Sequence, residues 1–394
     1  MGGTFDPIHM GHLSLASKAC SEFGLNRLLI MPSGRSYMKS ASVSSARFRG
    51  EMVKAALSQP LSLPCFERFE YDDREIRRGG CTYTCDTIRE LDEEYGREWD
   101  FYFIIGGDTL LSLRSWKDIS VTLDRCIILV ADRGNDEKVL EECRSLKRDH
   151  GADIRFIESF ESMDISSTQI RSLLAEGKGD TAGMLPVSVR EYIDENGLYL
   201  RYSREFIADI EERVKRKQKE SRFRHTLGVA FTASCLAMRY GADVEKAYLA
   251  GILHDNAKHF DDEKMLAAAH RAGIKVSEFE KRNAFILHGP VGAYRAREKF
   301  GIYDKDILNA VENHTVGRVG MSILEEIIFI ADYIEYGRDK AKNLDIIRRL
   351  AFEDIGRCMY KILSDTADYI KSSGAELDER MLQVLEYYKN REKE

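Results

Sequence analysis

The feature that most constrains the fold is a change of hydrophobic periodicity near residue 200. Before it, short β-rich runs (RLLIMP, FYFIIGGD, CIILVADR and DIRFIE) alternate with helical stretches. Such alternation is typical of an α/β domain with a parallel sheet. Beyond Tyr202 the strand-like runs vanish and apolar residues recur at helical spacing, with Pro290 as the one remaining proline. The sequence therefore predicts an α/β Rossmann-like domain over residues 1–200 and an all-α domain over residues 204–394.

The junction between these domains contains residues that are typical of helix ends. The helix VSVREYIDEN is predicted to stop at Gly197, a residue suited to the position that follows a helix. A new helix is predicted to start after Ser203, whose hydroxyl suits the N-cap. We therefore expect the two domains to be joined by the segment NGLYLRYSRE.

Composition narrows the classes of partner. The net charge of -7 is spread over interleaved acids and bases, which argues against long duplex nucleic acid as a ligand. No apolar run reaches the roughly 18 to 20 residues that a membrane span needs. The eight cysteines show no paired C-x-x-C spacing, and no signal peptide precedes them. We therefore expect a cytoplasmic protein with reduced thiols. Whether the chain forms a homo-oligomer stays open.

The first residues hold a candidate anion site. In GTFDPIHMGHLSLASKA, Pro7 and Gly11 should delay the helix until about Gly11 or His12, which places His9 and His12 on the loop and first turn. Main-chain N–H groups and the helix dipole favour an anion there, and two imidazoles add donors. An isolated H-x-x-H is mostly chance, but the glycine and proline context favours function.

A second candidate piece is MDISSTQIRSLLAEG. It places Ser166, Ser167 and Thr168 at a helix start and Arg171 one turn further on. Hydroxyls at a helix start are ordinary N-caps when seen alone. Arg171 on the same face adds a group that can clamp a phosphate.

Together, HMGH and ISSTQIR resemble the signatures of the nucleotidylyltransferase superfamily. Within it, the first 200 residues resemble nicotinate-nucleotide adenylyltransferases through GGTFDPIHMGHL, TYTCDTIREL, IIGGDTLLSLRSWKD and LPVSVREYIDENGLY. The resemblance implies transfer of AMP from ATP to nicotinate mononucleotide with release of pyrophosphate, a step of NAD biosynthesis, with Mg²⁺ as cofactor. Other superfamily members act on pantetheine phosphate or sugar phosphates, but TYTCDT and Trp116 favour a pyridine nucleotide; the choice between its acid and amide stays open.

The same resemblance implies the residues of this site. Those that would bind ATP are Gly3, Thr4, His9, His12, Gly106, Asp108, Ser167, Thr168 and Arg171, with His9 and His12 as the catalytic pair. Those that would surround the pyridine nucleotide are Tyr83, Thr84, Trp116 and Arg133, although Trp116 also suits the core.

Two segments depart from the family pattern. In MPSGRSYMKS, Tyr37 and Met38 precede Lys39 where the family has a proline-rich loop with Pro-His-Lys, so closure of this loop over substrate is in doubt. Family members also begin with a short apolar strand before the Gly-Gly turn, and the printed chain does not. We expect an in-frame strand upstream and a truncated first strand in the chain as given.

The second half carries six candidate metal ligands in separate apolar motifs. They are His225 in RFRHTLGVA, His254 and Asp255 in AGILHDNAKHF, His288 in ILHGPVGA, His314 in VENHTVG and Asp332 in IFIADYIEYGR. A single such histidine is more often a hydrogen-bonded core residue. A carboxylate buried on an apolar helix is costly unless it is paired or bound to metal, so the pair His254–Asp255 and Asp332 favour a metal site.

This order of residues resembles the HD phosphohydrolase superfamily, and RFRHTLGVA with HDNAKH resembles its YqeK-type diadenosine tetraphosphate hydrolases. The resemblance implies cleavage of diadenosine tetraphosphate into two ADP, with His225, His254, Asp255 and Asp332 on one ion, His288 and His314 on a second, and Asp255 bridging. The mixed N/O ligands suit iron, manganese or cobalt. Lys258 would add a phosphate contact and, with Asp255, form the catalytic pair. The alternative is a regulatory module that binds metal and nucleotide with little turnover.

Overall fold

The computed structural model describes residues 1–34, 43–78, 81–132, 136–158, 163–175 and 180–391. The chain forms two compact units, and the boundary between them falls between Glu195 and Asn196. The first unit mixes helices with parallel strands, and the second contains only helices among residues 196–391. The predicted fold class, α/β followed by all-α, is confirmed.

The first unit contains two three-stranded sheets among its described residues. The strands are β1 (Gly2–Gly3), β2 (Leu28–Pro32), β3 (Phe69–Tyr71), β4 (Phe101–Gly106), β5 (Cys126–Ala131) and β6 (Ile154–Phe156). Their orders are β1-β2-β3 and β4-β5-β6, and every pairing is parallel. Because β5 lies in the middle of its sheet, Ile128, Leu129 and Val130 are fully buried.

The first strand differs from its prediction. Gly2 and Gly3, expected as a turn, pair in register with Met31 and Pro32 of β2. The Gly3 carbonyl accepts a hydrogen bond of 2.8 Å from the Ser33 N–H. The main chain at Gly2 and Gly3 thus satisfies its hydrogen bonds through a parallel ladder rather than through a turn.

Nine helices of the described residues accompany these strands. They are α1 (Met10–Glu22), α2 (Ala46–Leu57), α3 (Arg74–Arg78), α4 (Thr84–Tyr95), α5 (Gly107–Ser112), α6 (Ile119–Arg125), α7 (Glu137–His150), α8 (Ser167–Ala175) and α9 (Val187–Asn196). Two of them, α1 and α8, begin at the motifs that the sequence singled out. The helix α9 is followed by Gly197 with φ +60°, so the predicted stop is confirmed.

The second unit has eleven helices within residues 196–391. They are α10 (Arg204–Lys215), α11 (Glu220–Tyr240), α12 (Val244–Leu253), α13 (Asp262–Arg271), α14 (Glu278–Arg282), α15 (His288–Phe300), α16 (Lys305–Asn313), α17 (Ile323–Ile334), α18 (Leu344–Glu353), α19 (Ile355–Ser372) and α20 (Glu379–Arg391). Ser203 caps α10 by accepting a hydrogen bond from Phe206 N, as predicted. None of the helices described in either unit has the length and apolar character required to span a membrane.

The core of the second unit is built around α11, α12, α16 and α17. Gly251 of α12 faces Ala230 of α11, and a Cβ at this glycine would lie 2.6 Å from the Ala230 Cα. The absence of a side chain there lets the two helices approach closely. This packing fixes the carboxyl end of α12 beside α11, where two of the candidate metal ligands lie.

Candidate active sites

The opening loop of the first unit ends in a helix start built from two histidines. The helix α1 begins at Met10, slightly earlier than predicted, because the His9 carbonyl already accepts a bond of 3.2 Å from Leu13 N. His12 Nδ1 accepts a bond of 3.3 Å from the main-chain N–H of His9. The two rings stack with their centroids 3.7 Å apart. His9 and His12 therefore form one rigid pair at the start of α1.

The structure brings this pair together with the second motif. Ser167 Oγ, at the start of α8, donates a bond of 3.0 Å to the Pro7 carbonyl. Arg171 Nη1 donates a bond of 2.7 Å to the Asp6 carbonyl, and its Nη2 lies 3.3 Å from Thr168 Oγ1. Two motifs distant in sequence thus share one loop, as a common phosphate site requires.

The charges at this loop suit an anion. His9 is buried, and burial lowers its pKa to about 4, so its ring is neutral near pH 7 and can offer one hydrogen bond. Arg171 is partly exposed and supplies positive charge, part of which is offset by the buried Asp6 carboxylate 3.9 Å away. The first-turn N–H groups of α1 and α8 add partial positive charge. These groups can hold a phosphate although the buried His9 imidazole is neutral.

Glycines keep the neighbouring backbone open. A Cβ on Gly3 would lie 2.8 Å from the Phe5 ring, and the Thr4 carbonyl accepts a bond of 2.8 Å from Arg49. A Cβ on Gly106 would lie 2.7 Å from Asp108 Oδ1. The absence of a side chain at residue 106 leaves room for the exposed Asp108 carboxylate in the first turn of α5.

The residues predicted around a pyridine ring lie on two adjoining segments. Tyr83 caps α4 and Thr84 is its first residue. Lys117 Nζ lies 4.5 Å from the centroid of the Tyr83 ring, so the segment that carries Trp116 runs beside α4. Trp116 packs edge-on against Phe103, and its buried Nε1 has no hydrogen-bond partner within the described part of the chain.

Some predicted positions lie outside the described residues. These are Arg133 and the loop residues Tyr37, Met38 and Lys39.

In the second unit the six predicted ligands come from five places in the fold. His225 lies in α11, His254 and Asp255 follow α12, His288 begins α15, His314 follows α16, and Asp332 lies in α17. One expectation is wrong: the pair His254–Asp255 is not inside a helix. The helix α12 ends at Leu253, whose carbonyl is taken by the Asn256 side chain at 2.7 Å, and the pair lies in the turn that follows.

The carboxylate of Asp255 lies between four imidazoles. Its Oδ1 is 3.3 Å from His288 Nε2 and 3.8 Å from His314 Nε2. Its Oδ2 is 3.5 Å from His254 Nε2 and 3.8 Å from His225 Nε2. Each oxygen therefore faces a different pair of histidines, which is the arrangement that a bridging ligand needs.

Asp332 completes one side of the cluster. Its Oδ1 is 3.1 Å from His225 Nε2 and 3.9 Å from His254 Nε2. Donor atoms within 4.8 Å of one another form two sets, one of His225, His254 and Asp332 and one of His254, Asp255 and His314. These sets share His254 and together include five of the six predicted ligands.

The buried nitrogens fit a metal ion. His225 Nε2 and His254 Nε2 are buried and face the carboxylates of Asp332 and Asp255, but neither makes a well-aligned hydrogen bond among the described residues. The opposite nitrogens of His254 and His314 donate to the carbonyls of Gly251 and Val311, each at 2.7 Å. Those bonds leave the Nε2 lone pairs directed at the carboxylates. A mixed imidazole and carboxylate set suits a divalent transition metal.

Charge coupling within the cluster shifts the pKa values strongly. Burial alone would raise the pKa of Asp255, but His254 and the two neighbouring imidazoles hold it well below its usual range. Asp332 behaves similarly, because its contact with His225 and nearby positive charges outweigh burial and lower its pKa. Burial lowers the pKa of His288 to about 4. Both carboxylates are therefore ionised, and His288 is neutral. Although burial opposes it, the charges of Asp255 and Asp332 raise the pKa of His254, so a metal ion would have to displace a proton from this imidazole.

Three cationic side chains border the cluster. Arg222 Nη1 lies 2.9 Å from Asp255 Oδ2, and Arg338 Nη2 lies 2.5 Å from Asp332 Oδ1. Lys258, predicted to contact phosphate, has its Nζ 3.1 Å from His288 Nε2. The sequence prediction missed both arginines, although Arg222 stands one helical turn before His225. Their side chains are each 41% exposed while Asp255 is buried, so they lie toward solvent.

Comparisons with known proteins agree with this division. Residues 1–173 match the cytidylyltransferase-like family and residues 222–337 match the HD domain. A probable nicotinate-nucleotide adenylyltransferase from Moorella thermoacetica is 39% identical over 202 residues, 50% of this chain and 89% of that protein. A symmetrical bis(5'-nucleosyl)-tetraphosphatase from Bacillus subtilis is 39% identical over 157 residues, 40% of this chain and 83% of that protein.

One further relative combines both parts in a single chain. A probable nicotinate-nucleotide adenylyltransferase/Ap4A hydrolase from Mycoplasma pneumoniae is 26% identical over 379 residues, 94% of this chain and 98% of that protein. The order of its two named activities is the order of the two units here. The chain belongs to the nicotinate-nucleotide adenylyltransferases through its first unit and to the HD-domain symmetrical bis(5'-nucleosyl)-tetraphosphatases through its second.

Proposed function

We propose that the protein is a bifunctional enzyme. Its first unit transfers AMP from ATP to nicotinate mononucleotide, which yields nicotinic acid adenine dinucleotide and pyrophosphate. Its second unit hydrolyses diadenosine tetraphosphate to two ADP. The observation that carries the second activity is the Asp255 carboxylate, which faces four imidazoles with its two oxygens.

The first reaction requires positioning rather than a covalent intermediate. A phosphate oxygen of nicotinate mononucleotide attacks the α-phosphorus of ATP, and pyrophosphate leaves with the electron pair of the broken P–O bond. His9, His12 and Arg171 would hold the ATP phosphates at the shared loop, and Mg²⁺ would neutralise further charge. The orphaned Trp116 N–H and the Tyr83 ring support placing the pyridine ring near α4.

The second reaction adds one water across a P–O–P link of the central phosphates. We infer two divalent ions, with iron, manganese and cobalt as the candidates, held by the six predicted ligands. Such ions would supply Lewis acidity and activate water for in-line attack. Arg222 and Arg338 lie on the solvent side of the cluster and suit contacts with the remaining phosphate oxygens. Lys258, whose Nζ lies 3.1 Å from His288 Nε2, would give up that contact to a metal ion and contact a phosphate oxygen.

We place the protein in the cytoplasm with nucleotides as its partners. All eight cysteines are unpaired, which suits a reducing compartment. ATP and nicotinate mononucleotide are both anionic, as a site at two helix starts requires.

The test compares two ligand variants of the full chain. Asp255→Ala should lose both metal and diadenosine tetraphosphate hydrolysis, because it removes the carboxylate shared by the four histidines. His288→Ala should retain one ion and hydrolyse slowly. His270→Ala, on the exposed surface of α13, is the control and should match the parent. Metal analysis and chromatography of the products provide the readouts.

Two outcomes would contradict the proposal for the second unit. Nucleotide binding without turnover in the presence of manganese, cobalt and iron would favour a regulatory module instead. Parent protein that contains no metal and resists loading would exclude a metal centre altogether.

A further inference from the structure

Glu335 is a buried carboxylate that the proposed chemistry leaves without a role. It follows the last residue of α17, is 4% exposed, and lies 3.1 Å from His225 Nδ1 through its Oε1. Its other oxygen accepts a bond of 2.5 Å from Gly337 N. Among the described residues no lysine or arginine forms an ion pair with it. Burial of a carboxylate costs free energy, and here the contact with an imidazole offsets that cost.

The four histidines of the cluster differ in how their outer nitrogens are satisfied. The Nδ1 atoms of His254, His288 and His314 each lie within hydrogen-bond distance of the carbonyl three residues earlier. Of these three histidines, His254 and His314 follow helix ends, where carbonyls are left without an intrahelical partner. His225 lies inside α11, where the carbonyls of the preceding turn are already bonded. It therefore needs a partner from another element, and Glu335 provides it.

The fold keeps space open for this carboxylate. Gly228 lies on the same helix as His225, three residues further on, and a Cβ there would lie 2.4 Å from Glu335 Oε2. The same added atom would lie 3.2 Å from the Glu335 Cδ. Any other residue at position 228 would therefore push the carboxylate away from His225. Both the glycine and the carboxylate are needed for the contact to form.

We propose that Glu335 is a positioning residue that accepts the Nδ1–H of His225 and so holds the Nε2 lone pair toward the metal site shared with Asp332. An anionic acceptor also makes the imidazole a stronger donor to a cation. This inference rests on the proposed metal centre of the second unit. It adds to that centre an outer residue that touches neither metal nor substrate.

The test measures metal affinity directly. Titration of metal-free full-length protein with Co²⁺ alone, followed by visible absorption and by competition with a chelating dye, gives the dissociation constant. Glu335→Ala should weaken binding by about 10- to 100-fold, as is typical when an outer carboxylate is lost. Glu335→Gln keeps an acceptor without the charge and should weaken binding less. Gly228→Ala should resemble Glu335→Ala, since it displaces the same carboxylate.

A matched control separates metal affinity from general stability. Glu326 is an equally buried carboxylate on α17, but it contacts Tyr388 and Arg391 and no histidine. Glu326→Ala should lower the unfolding temperature and leave Co²⁺ affinity unchanged. The tautomer of His225, read by ¹⁵N NMR of the metal-free protein, should be fixed in the parent and mixed in Glu335→Ala.

The outcomes distinguish loss of the metal centre from loss of the contact between Glu335 and His225. Parent protein that fails to bind Co²⁺ would remove the metal centre itself. Parent protein that binds tightly, together with Glu335→Ala and Gly228→Ala variants of equal affinity and unchanged tautomer, would overturn the role of Glu335 alone.

Discussion

At the scale of single residues, the second site depends on carboxylates that are charged before any ion or substrate arrives. In the protein alone, the negative charge of Asp255 is balanced by His254, whose pKa it raises, and by the guanidinium of Arg222. A metal ion would compete for the same oxygens. Arg222 would then lose part of its attraction to Asp255 and could turn to an anion that reaches the site from solvent.

This exchange predicts a specific effect of removing Arg222. We expect Arg222→Ala to raise the KM for diadenosine tetraphosphate by roughly 10- to 100-fold, the value of one charge-assisted hydrogen bond. Metal content should stay the same, because the ligands are intact. Arg224→Ala is the matched control, since that arginine lies two residues away on α11 but pairs with Glu220 in solvent. Steady-state kinetics and metal analysis test the prediction, and an unchanged KM for Arg222→Ala would refute it.

At the scale of helices and strands, the sequence predicted most long elements and few of the short ones. The strands β2, β4, β5 and β6 were visible as apolar runs, whereas β1 consists of two glycines and β3, FEY, is flanked by charged residues. The position of His254 at the end of α12 depends on the Asn256 side chain, which competes with the helix for the Leu253 carbonyl. The helix propensities of single residues do not predict such a contact.

The site itself was only partly predictable for the same reason. The six ligands could be read from the motifs, because buried acids and imidazoles are rare in apolar helices. Glu335 and Arg338 stand close after Asp332 in sequence, but their roles depend on contacts with α11 and with the Asp332 carboxylate. Contacts between elements are set by packing, which a single sequence does not display.

One element junction makes a prediction about stability. Asp304 caps α16 by accepting from Asp306 N, and its fully buried carboxylate lies 2.5 Å from Lys246 Nζ of α12. Asp304→Ala should lower the free energy of unfolding by about 4 kcal/mol, from about 1 kcal/mol for the cap and about 3 kcal/mol for the unpaired ammonium. Asp304→Asn can keep the cap and should lose less. Urea denaturation followed by circular dichroism measures both, and equal losses would contradict the assigned contribution of the cap, because only the charge is absent from both variants.

At the scale of the whole molecule, the apolar clusters of the two units consist of different residues. Among the described residues, the cluster around β4 and β5 contains residues of the first unit, and the cluster around α11, α12 and α17 contains residues of the second. Each proposed active site likewise draws its residues from one unit. Neither reaction requires a side chain from the other unit.

Separate sites predict that each activity can be removed alone. His12→Ala should lower formation of nicotinic acid adenine dinucleotide by roughly 100- to 1000-fold, the cost of one preorganised donor. Diadenosine tetraphosphate hydrolysis should be unchanged in that variant, and Asp255→Ala should show the reverse pattern. Lys18→Ala, on the exposed side of α1, serves as the control for His12. Loss of both activities in either variant would contradict independence of the sites.

The bonds from His254 to the Gly251 carbonyl and from His314 to the Val311 carbonyl couple the metal site to local unfolding. Both histidines stand where α12 and α16 end, and helix ends open more easily than helix centres. If either end frays, its carbonyl leaves the imidazole and the ring is free to rotate away. Because the rings are held in place only while the two helix ends are closed, an ion that binds them also stabilises the closed ends. A bound ion should accordingly slow amide hydrogen exchange in the last turns of α12 and α16, far more than in their first turns.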